Sequence, residues 1–211
     1  MARAEDVAAV PFDTVPFDAG PFDAVVLAGG RARRMGGGDK PGERVGGRAL
    51  ITRVADAAGA ARRLVIVGPP RPEPARAVFV REEPPGAGPV PALRAGLAEV
   101  SAPWVALLAG DLPFLRRDDV ASLLAAARDA DAGGAVLLDD GGREQWLAGC
   151  WRTEGLRRAL AAYEGASLRG LLGPLDPVKV TVRAGERPPW YDCDTPGELE
   201  HADRLARPGG P

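Results

Sequence analysis

The chain has 211 residues, 45% of them hydrophobic, and a formal net charge of -2, which suits one domain with a buried core. That balance excludes a nucleic-acid backbone or an anionic membrane surface as the main partner, because both select a large basic surface. A single histidine, His201, excludes a His-rich metal site, and the distant Cys150 and Cys193 have neither metal-ligand nor CxxC spacing, so a reducing, cytoplasmic compartment is expected.

Residues 1–21 repeat PFD at Pro11, Pro16 and Pro21 and read as a disordered leader rather than a signal peptide. One domain is expected over 22–207, with a loose tail at 208–211. DAVVLAGG is a buried strand that ends in glycines. A helix follows from about Arg48 (RALITRVADAAGAAR), then the apolar strands RRLVIVGPP and ARAVFVREE. GPVPALRAGLAEV is a helix whose prolines sit near the first turn, where they are tolerated. PWVALLAGDLPFL is a strand ending at Gly110–Asp111, and RRDDVASLLAAARDA is an amphipathic helix. GGAVLLDDGGREQWLAGCW reads as two strands joined by an Asp-Gly turn. The helical segments RTEGLRRALAAY and SLRGLLGPL, the strand DPVKVTVR and the closing helix TPGELEHADRLA complete the chain.

Apolar strands alternating with helices predict an α/β fold: a three-layer αβα sandwich around a mostly parallel, Rossmann-like sheet. Ligands of such sheets sit at the carboxyl ends of the strands. That rule gathers Ala28 to Lys40, Gly68, Glu82, Glu83 and Asp111 on one edge.

Between Val25 and Gly42 the chain places six glycines and four basic residues. Glycines let ligand oxygens approach backbone N–H groups, and Arg31, Arg33, Arg34 and Lys40 add charge suited to a polyphosphate. The stretch is neither a P-loop, since Lys40 stands between Asp39 and Pro41, nor a GxGxxG fingerprint. Lys40 stands out because Lys40 and Lys179 are the only lysines among 27 basic residues. Asp111, directly after an apolar strand, is well placed for a hard cation, although alone it also reads as a turn residue. Asp192 and Asp194 alternate along an extended segment and so share a face, from which one of them can complete the shell of Asp111. Asp194-Thr195-Pro196 also reads as a helix start. Trp146, Trp151 and Trp190 have flat rings that suit a stacking ligand, with core packing as the competing reading.

Together these segments resemble one family. LAGGRARRMGGGDKP resembles the LAGGxxxRMGxDK signature of MobA-like nucleotidyltransferases. GAGPVPALRAGL resembles their GPLAGL loop, LLAGDLPFL their metal-binding strand end, and DCDTPGELEHA their closing motif. The likeness runs from about Phe22 to Leu205 and implies a fold of the nucleotide-diphospho-sugar transferase type. The implied activity is transfer of GMP from GTP to molybdopterin or Mo-molybdopterin, with Mg²⁺ as cofactor and release of pyrophosphate. Transient contact with other molybdenum-cofactor biosynthesis proteins is implied as well.

Carried over by position, Leu27, Ala28, Gly29, Gly30, Gly68 and Glu82 would bind the nucleotide, with Glu83 as the alternative acid. Lys40 would meet the phosphates, Arg34, Lys40 and Asp111 would be catalytic, and Asp111 and Asp194 would hold the metal. LAGG rather than LAAG favours GTP over CTP. Two departures bear on the second substrate: GPVPA replaces GPLAG at Gly88 to Ala92, and Asp192 and Asp194 stand where many guanylyl enzymes of the family have Asn. The alternatives are a cytidylyltransferase or sugar-phosphate guanylyltransferase of the same fold, a non-catalytic nucleotide-binding regulator, and a molybdopterin carrier.

Overall fold

The computed structural model describes residues 20–29, 39–182 and 185–207. Seven strands form one sheet: β1 (Phe22–Leu27), β4 (Leu64–Val67), β5 (Ala77–Val80), β6 (Trp104–Ala109), β7 (Gly134–Leu138), β8 (Glu144–Arg152) and β9 (Val178–Val180), in the order β5-β4-β1-β6-β8-β7-β9. Only β8 runs against its neighbours; every other pairing in the sheet is parallel. The sheet is therefore mostly parallel, as the alternation of strands and helices predicts.

Period-2 geometry divides the apolar strand residues between two cores. Ala24, Val26, Leu64, Ile66, Ala106 and Leu108 face helices α1 (Leu50–Ala57) and α3 (Arg117–Asp129). Val25, Val65, Val67, Val105 and Leu107 face α2 (Pro89–Ala98), α4 (Thr153–Ala162) and α5 (Leu168–Leu172). A strand buried on both faces reads as a nearly continuous apolar run; β4 and β6 are wholly apolar, and β1 is apolar apart from Asp23 near its start. The closing helix α6 (Pro196–Ala206) lies outside this sandwich and covers a small third cluster of Val45, Leu50, Phe114, Cys193 and Ala202. No helix among the described residues is long and apolar enough to cross a membrane.

Two local details differ from the sequence-based expectation. The segment taken as the start of a helix at Arg48 is the second arm of a short hairpin, β2 (Arg44–Val45) with β3 (Arg48–Ala49). Its turn residues Gly46 and Gly47 have φ of +58° and +76°, which a glycine pair adopts without the Cβ clash that other residues would meet. The helix proper begins at Leu50. The last strand is confined to Val178–Val180 rather than the whole of DPVKVTVR. The helix start expected at Asp194-Thr195-Pro196 is present, with Thr195 as the cap of α6: its side chain accepts from the Glu198 N–H while Glu198 reaches back to the Thr195 N–H, forming a capping box. Asp194 is thereby left for other work. The leader and the tail fall on residues outside those described, apart from Gly20 and Pro21.

At the edge of the sheet away from the strand carboxyl ends, Asp23 is almost fully buried. Its carboxylate accepts from the backbone N–H groups of Arg63 (3.1 Å), Ser101 (2.7 Å) and Ala102 (2.8 Å), closing the loops that enter β4 and β6. Replacing it orphans all three donors. Asp23→Ala is expected to cost about 3 kcal/mol in a urea melt; a loss within about 0.5 kcal/mol, the scale of a surface change, would contradict this account.

Candidate active site

The chain leaves β1 for β4 and β5 on one side, then returns through α2 to β6 on the other. Strand order therefore switches direction between β1 and β6, and open α/β sheets bind ligands in the crevice at that point. The backbone is drawn tight there. Ala28 donates its N–H to the Val67 carbonyl and Gly110 donates to the Leu27 carbonyl, at 2.9 and 3.0 Å. A Cβ on Gly68 would stand 2.9 Å from the Ala28 oxygen, and one on Gly110 would stand 3.1 Å from the Ala28 Cβ. Only glycine lets these strand ends close on one another.

A cleft of about 950 Å³ opens above this junction. Leu27, Gly29, Glu82, Asp111, Asp192 and Asp194 all line it. Ala28 and Gly68 do not: both are buried beneath, and the Gly68 N–H is taken by the Val80 carbonyl. Their contribution is to shape the floor. Gly30 and Arg34 fall outside the described residues.

The electrostatic centre is Lys40, on a single 3-10 turn (Lys40–Gly42). Its ammonium forms ion pairs with Asp111, just past β6, and with Asp194 at 2.5 Å, just before α6. Burial alone would lower the Lys40 pKa, but the carboxylates of Asp111 and Asp194 outweigh it and hold it above the ordinary lysine value. The ammonium therefore stays charged throughout the neutral range. Asp192 is raised, first by burial and then by the charges of Asp194 and Asp111. Cys193, between the two aspartates, points the other way into the third cluster, and burial pushes its thiol up to about 12. The alternation expected for Asp192 and Asp194 is thus present.

Of the two candidate acids after β5, Glu82 is buried against the cleft and Glu83 is exposed. The Glu82 Oε1 accepts from the Gly86 N–H at 2.7 Å. Its Oε2 is buried and has no hydrogen-bond partner among the described residues. A Cβ on Gly29 would lie 3.7 and 3.9 Å from the two oxygens, so the carboxylate sits beside the glycine that ends β1. An unmatched carboxylate oxygen in a cleft wall is costly unless a ligand donor reaches it.

Among the tryptophans, Trp151 is fully buried in the second core, whereas Trp146 and Trp190 line the cleft. Arg71 was not singled out from the sequence. It follows β4, is mostly buried, and pairs with Asp39, the residue next to Lys40. A Cβ on Gly42 would meet the Asp39 carboxylate, so a side chain there would displace that carboxylate from its place beside Arg71. The signal in the sequence was a cation just beyond the carboxyl end of a central strand. His201 is exposed on α6 and takes no part in the cleft.

A family model described as MobA-like NTP transferase domain matches residues 24–178. The chain belongs to this family. A molybdenum cofactor guanylyltransferase from Bradyrhizobium sp. (strain ORS 278) is 34% identical over 198 residues, spanning 86% of this chain and 92% of its own. One from Rhodopseudomonas palustris (strain BisB5) is 32% identical over 197 residues, spanning 87% and 93%. Among solved structures, molybdopterin-guanine dinucleotide biosynthesis protein A from Archaeoglobus fulgidus superposes with a TM-score of 0.69 at 19% identity, covering 87% of this chain and 97% of its own. The 2-C-methyl-D-erythritol 4-phosphate cytidylyltransferase from Thermus thermophilus gives 0.68 at 23%, covering 89% and 100%. These two likenesses establish the fold, and membership of the MobA-like family makes the chain a nucleotidyltransferase.

Arg71 is expected to act through Lys40 by fixing the turn that carries it. Arg71→Met should lower nucleotidyl transfer about fivefold, the scale of a partly exposed ion pair worth roughly 1 kcal/mol. In a Lys40→Ala background the same change should have no effect, which a double-mutant cycle reads directly; equal losses in both backgrounds would refute the coupling.

Proposed function

We propose that this MobA-like protein is a cytoplasmic molybdenum cofactor guanylyltransferase, transferring GMP from GTP to molybdopterin, with or without molybdenum, and releasing pyrophosphate. The observation that carries the choice of nucleotide is the Glu82 carboxylate, with its buried and unmatched Oε2 beside Gly29. Guanine presents two adjacent donors, N1–H and the 2-amino group, on one edge. Adenine, cytosine and uracil do not, so a carboxylate at this place selects guanine. The names of the curated relatives, matched over most of their length, support the same reading.

In the reaction, an oxygen of the acceptor's phosphate forms a bond to the α-phosphorus of GTP, and the bond from that phosphorus to the bridging oxygen of the β-phosphate breaks. The attacking oxygen is already ionised, so no side chain has to remove a proton. The barrier is the meeting of two anions and the departure of a third, and the protein's task is positioning and charge. Lys40 supplies a fixed ammonium at the sheet edge, and Arg34 is assigned to the same phosphates.

Asp111 and Asp194 fit a small hard cation: their oxygens converge within contact of one ammonium, and both donors are carboxylates. No cluster of three or more metal-ligating side chains occurs among the described residues. Two carboxylates are what Mg²⁺ commonly takes from a protein when substrate phosphates supply other ligands. Held there, Mg²⁺ would neutralise charge developing on the pyrophosphate.

The test is pyrophosphate release with GTP, CTP, ATP or UTP, each with and without molybdopterin. Release is expected to require molybdopterin and to be much faster with GTP than with the other three nucleotides; preference for CTP would overturn the assignment of Glu82. Lys40→Ala should reduce kcat by about 10²–10³, as for loss of one strong transition-state contact. Glu82→Gln should lower kcat/KM for GTP by about tenfold to a hundredfold, since a hydrogen bond to a charged group is at stake, while leaving the slow turnover of other nucleotides unchanged. A uniform loss across all four nucleotides would show that Glu82 only supports the fold.

A further inference from the structure

The end of the cleft beyond Glu82 and Asp111 is built by β8, and its pairing there is irregular. Val136 of β7 pairs with Gly149, but the next residue, Leu137, pairs with Gln145. One step along β7 thus answers four along β8. Trp146, Leu147 and Ala148 have no counterpart on β7, and β6 pairs no further along β8 than Ala148. A bulge of this kind re-aims side chains, and here all four residues from Gln145 to Ala148 line the cleft.

The bulge presents an aromatic ring of fixed orientation. Trp146 is half-buried, and its ring stacks on the fully buried Trp151 at 6.4 Å between centroids and 21° between planes. The backbone at Gly173 closes on its far edge, where a Cβ would stand 3.9 Å from Cη2. Core packing thus fixes the indole while leaving part of it in the cleft wall. Beside it, Gln145 donates its amide N–H to the Asp139 carboxylate at 2.9 Å, which turns its Oε1 into an acceptor of known identity. Arg169, on α5, also lines the cleft and makes no ion pair among the described residues; Glu144, which feels its charge, is paired with Lys179 at 3.3 Å.

We infer that this end of the cleft is the subsite for the acceptor, and that Trp146 is the residue that selects a flat, fused-ring acceptor over a sugar phosphate. The indole stacks on the ring system, and Gln145 Oε1 accepts from its N–H edge. The ring's phosphate arm reaches back toward Asp111. Arg169 donates to the ring's carbonyl side. The inference rests on the guanylyltransferase reading and assigns the residues that read its second substrate. It also gives the departure of this chain from GPLAG a setting, because Gly88, Pro89 and Ala92 of the altered segment line the same cleft.

The test compares wild type, Trp146→Phe and Trp146→Leu by steady-state kinetics with GTP and molybdopterin. Leu keeps apolar contact with Trp151 but removes the flat face. Trp146→Leu should raise the KM for molybdopterin about tenfold or more, the scale on which aromatic stacking on a base is lost. The KM for GTP should stay within about twofold and Trp146→Phe should stay near wild type. A second arm needs no turnover: a pterin carrying a side-chain monophosphate is titrated against each protein, followed by tryptophan fluorescence, with ribose 5-phosphate as the sugar control. Wild type should be quenched by the pterin and not by the sugar, and Trp146→Leu should lose that binding. An active wild type with an unchanged acceptor KM in Trp146→Leu overturns this inference and leaves the proposed function standing. Pterin binding that depends on Trp146, in a protein that does not turn over GTP with molybdopterin, overturns the proposed activity and upholds the subsite. Equal rises in both KM values, with a lowered melting temperature, would mark Trp146 as structural and also overturn it.

Discussion

The Lys40 ammonium is the contact on which the site depends. It bridges Asp111 and Asp194, so one side chain ties together the loop after β1, the end of β6 and the segment before α6. Asp194 lies 154 residues away in sequence. The lysine is mostly shielded from solvent and so is Asp111, while Asp194 is about half exposed. A pair of this kind contributes less to net stability than its Coulomb attraction suggests, because each charge has lost water. Breaking it is a different matter: without Lys40, two carboxylates and the nearby Asp192 would face one another across a half-buried space. The ammonium offsets the repulsion between the acids gathered there.

That concentration is made possible by events elsewhere in the fold. Thr195 takes the cap of α6 and completes a reciprocal bond with Glu198, so Asp194 is not consumed by the helix N-terminus. Cys193 turns into the small cluster under α6, and extended backbone on either side of it must then send Asp192 and Asp194 to the opposite face. At the other wall, Gly68 and Gly110 let β4 and β6 close against Ala28, which brings Asp111 and Glu82 to the same crevice. The site is therefore assembled from ordinary local rules, each satisfied by a residue that carries no chemistry itself.

Much of this was legible in the sequence for one reason: the central strands are buried on both faces and so are almost wholly apolar, and their carboxyl ends locate the site. Asp111 and the pair Glu82 and Glu83 could be placed from that rule, and Asp192 and Asp194 from their alternation along an extended segment. Other features were not legible, because they depend on three-dimensional closeness. The Gly46–Gly47 hairpin was hidden by the helical periodicity that follows it. Gly68 was assigned to the nucleotide by position, but its N–H completes the sheet edge with Val80. Arg71 mattered only once the loop after β4 was seen to reach Asp39. The three tryptophans looked alike in sequence, and only the irregular pairing of β7 with β8 sent Trp146 to the cleft while Trp151 went to the core.

The charge balance of the cleft carries a further consequence for the proposed reaction. Among the described residues, Asp111, Asp192 and Asp194 gather around the Lys40 ammonium, and burial together with the charges of Asp194 and Asp111 raises Asp192. A triphosphate is itself strongly anionic, and these three carboxylates oppose its approach unless their charge is met by cations. Cations must arrive with it, and the two carboxylates that hold Lys40 are the ones assigned to the metal. Once their charge is shared with a divalent ion, less of it holds the ammonium, which is then available to the phosphates. On the proposed reading, metal and nucleotide must therefore favour each other's binding reciprocally, by thermodynamic linkage. The same acids that look ill suited to a polyphosphate site thus couple nucleotide binding to the presence of the metal.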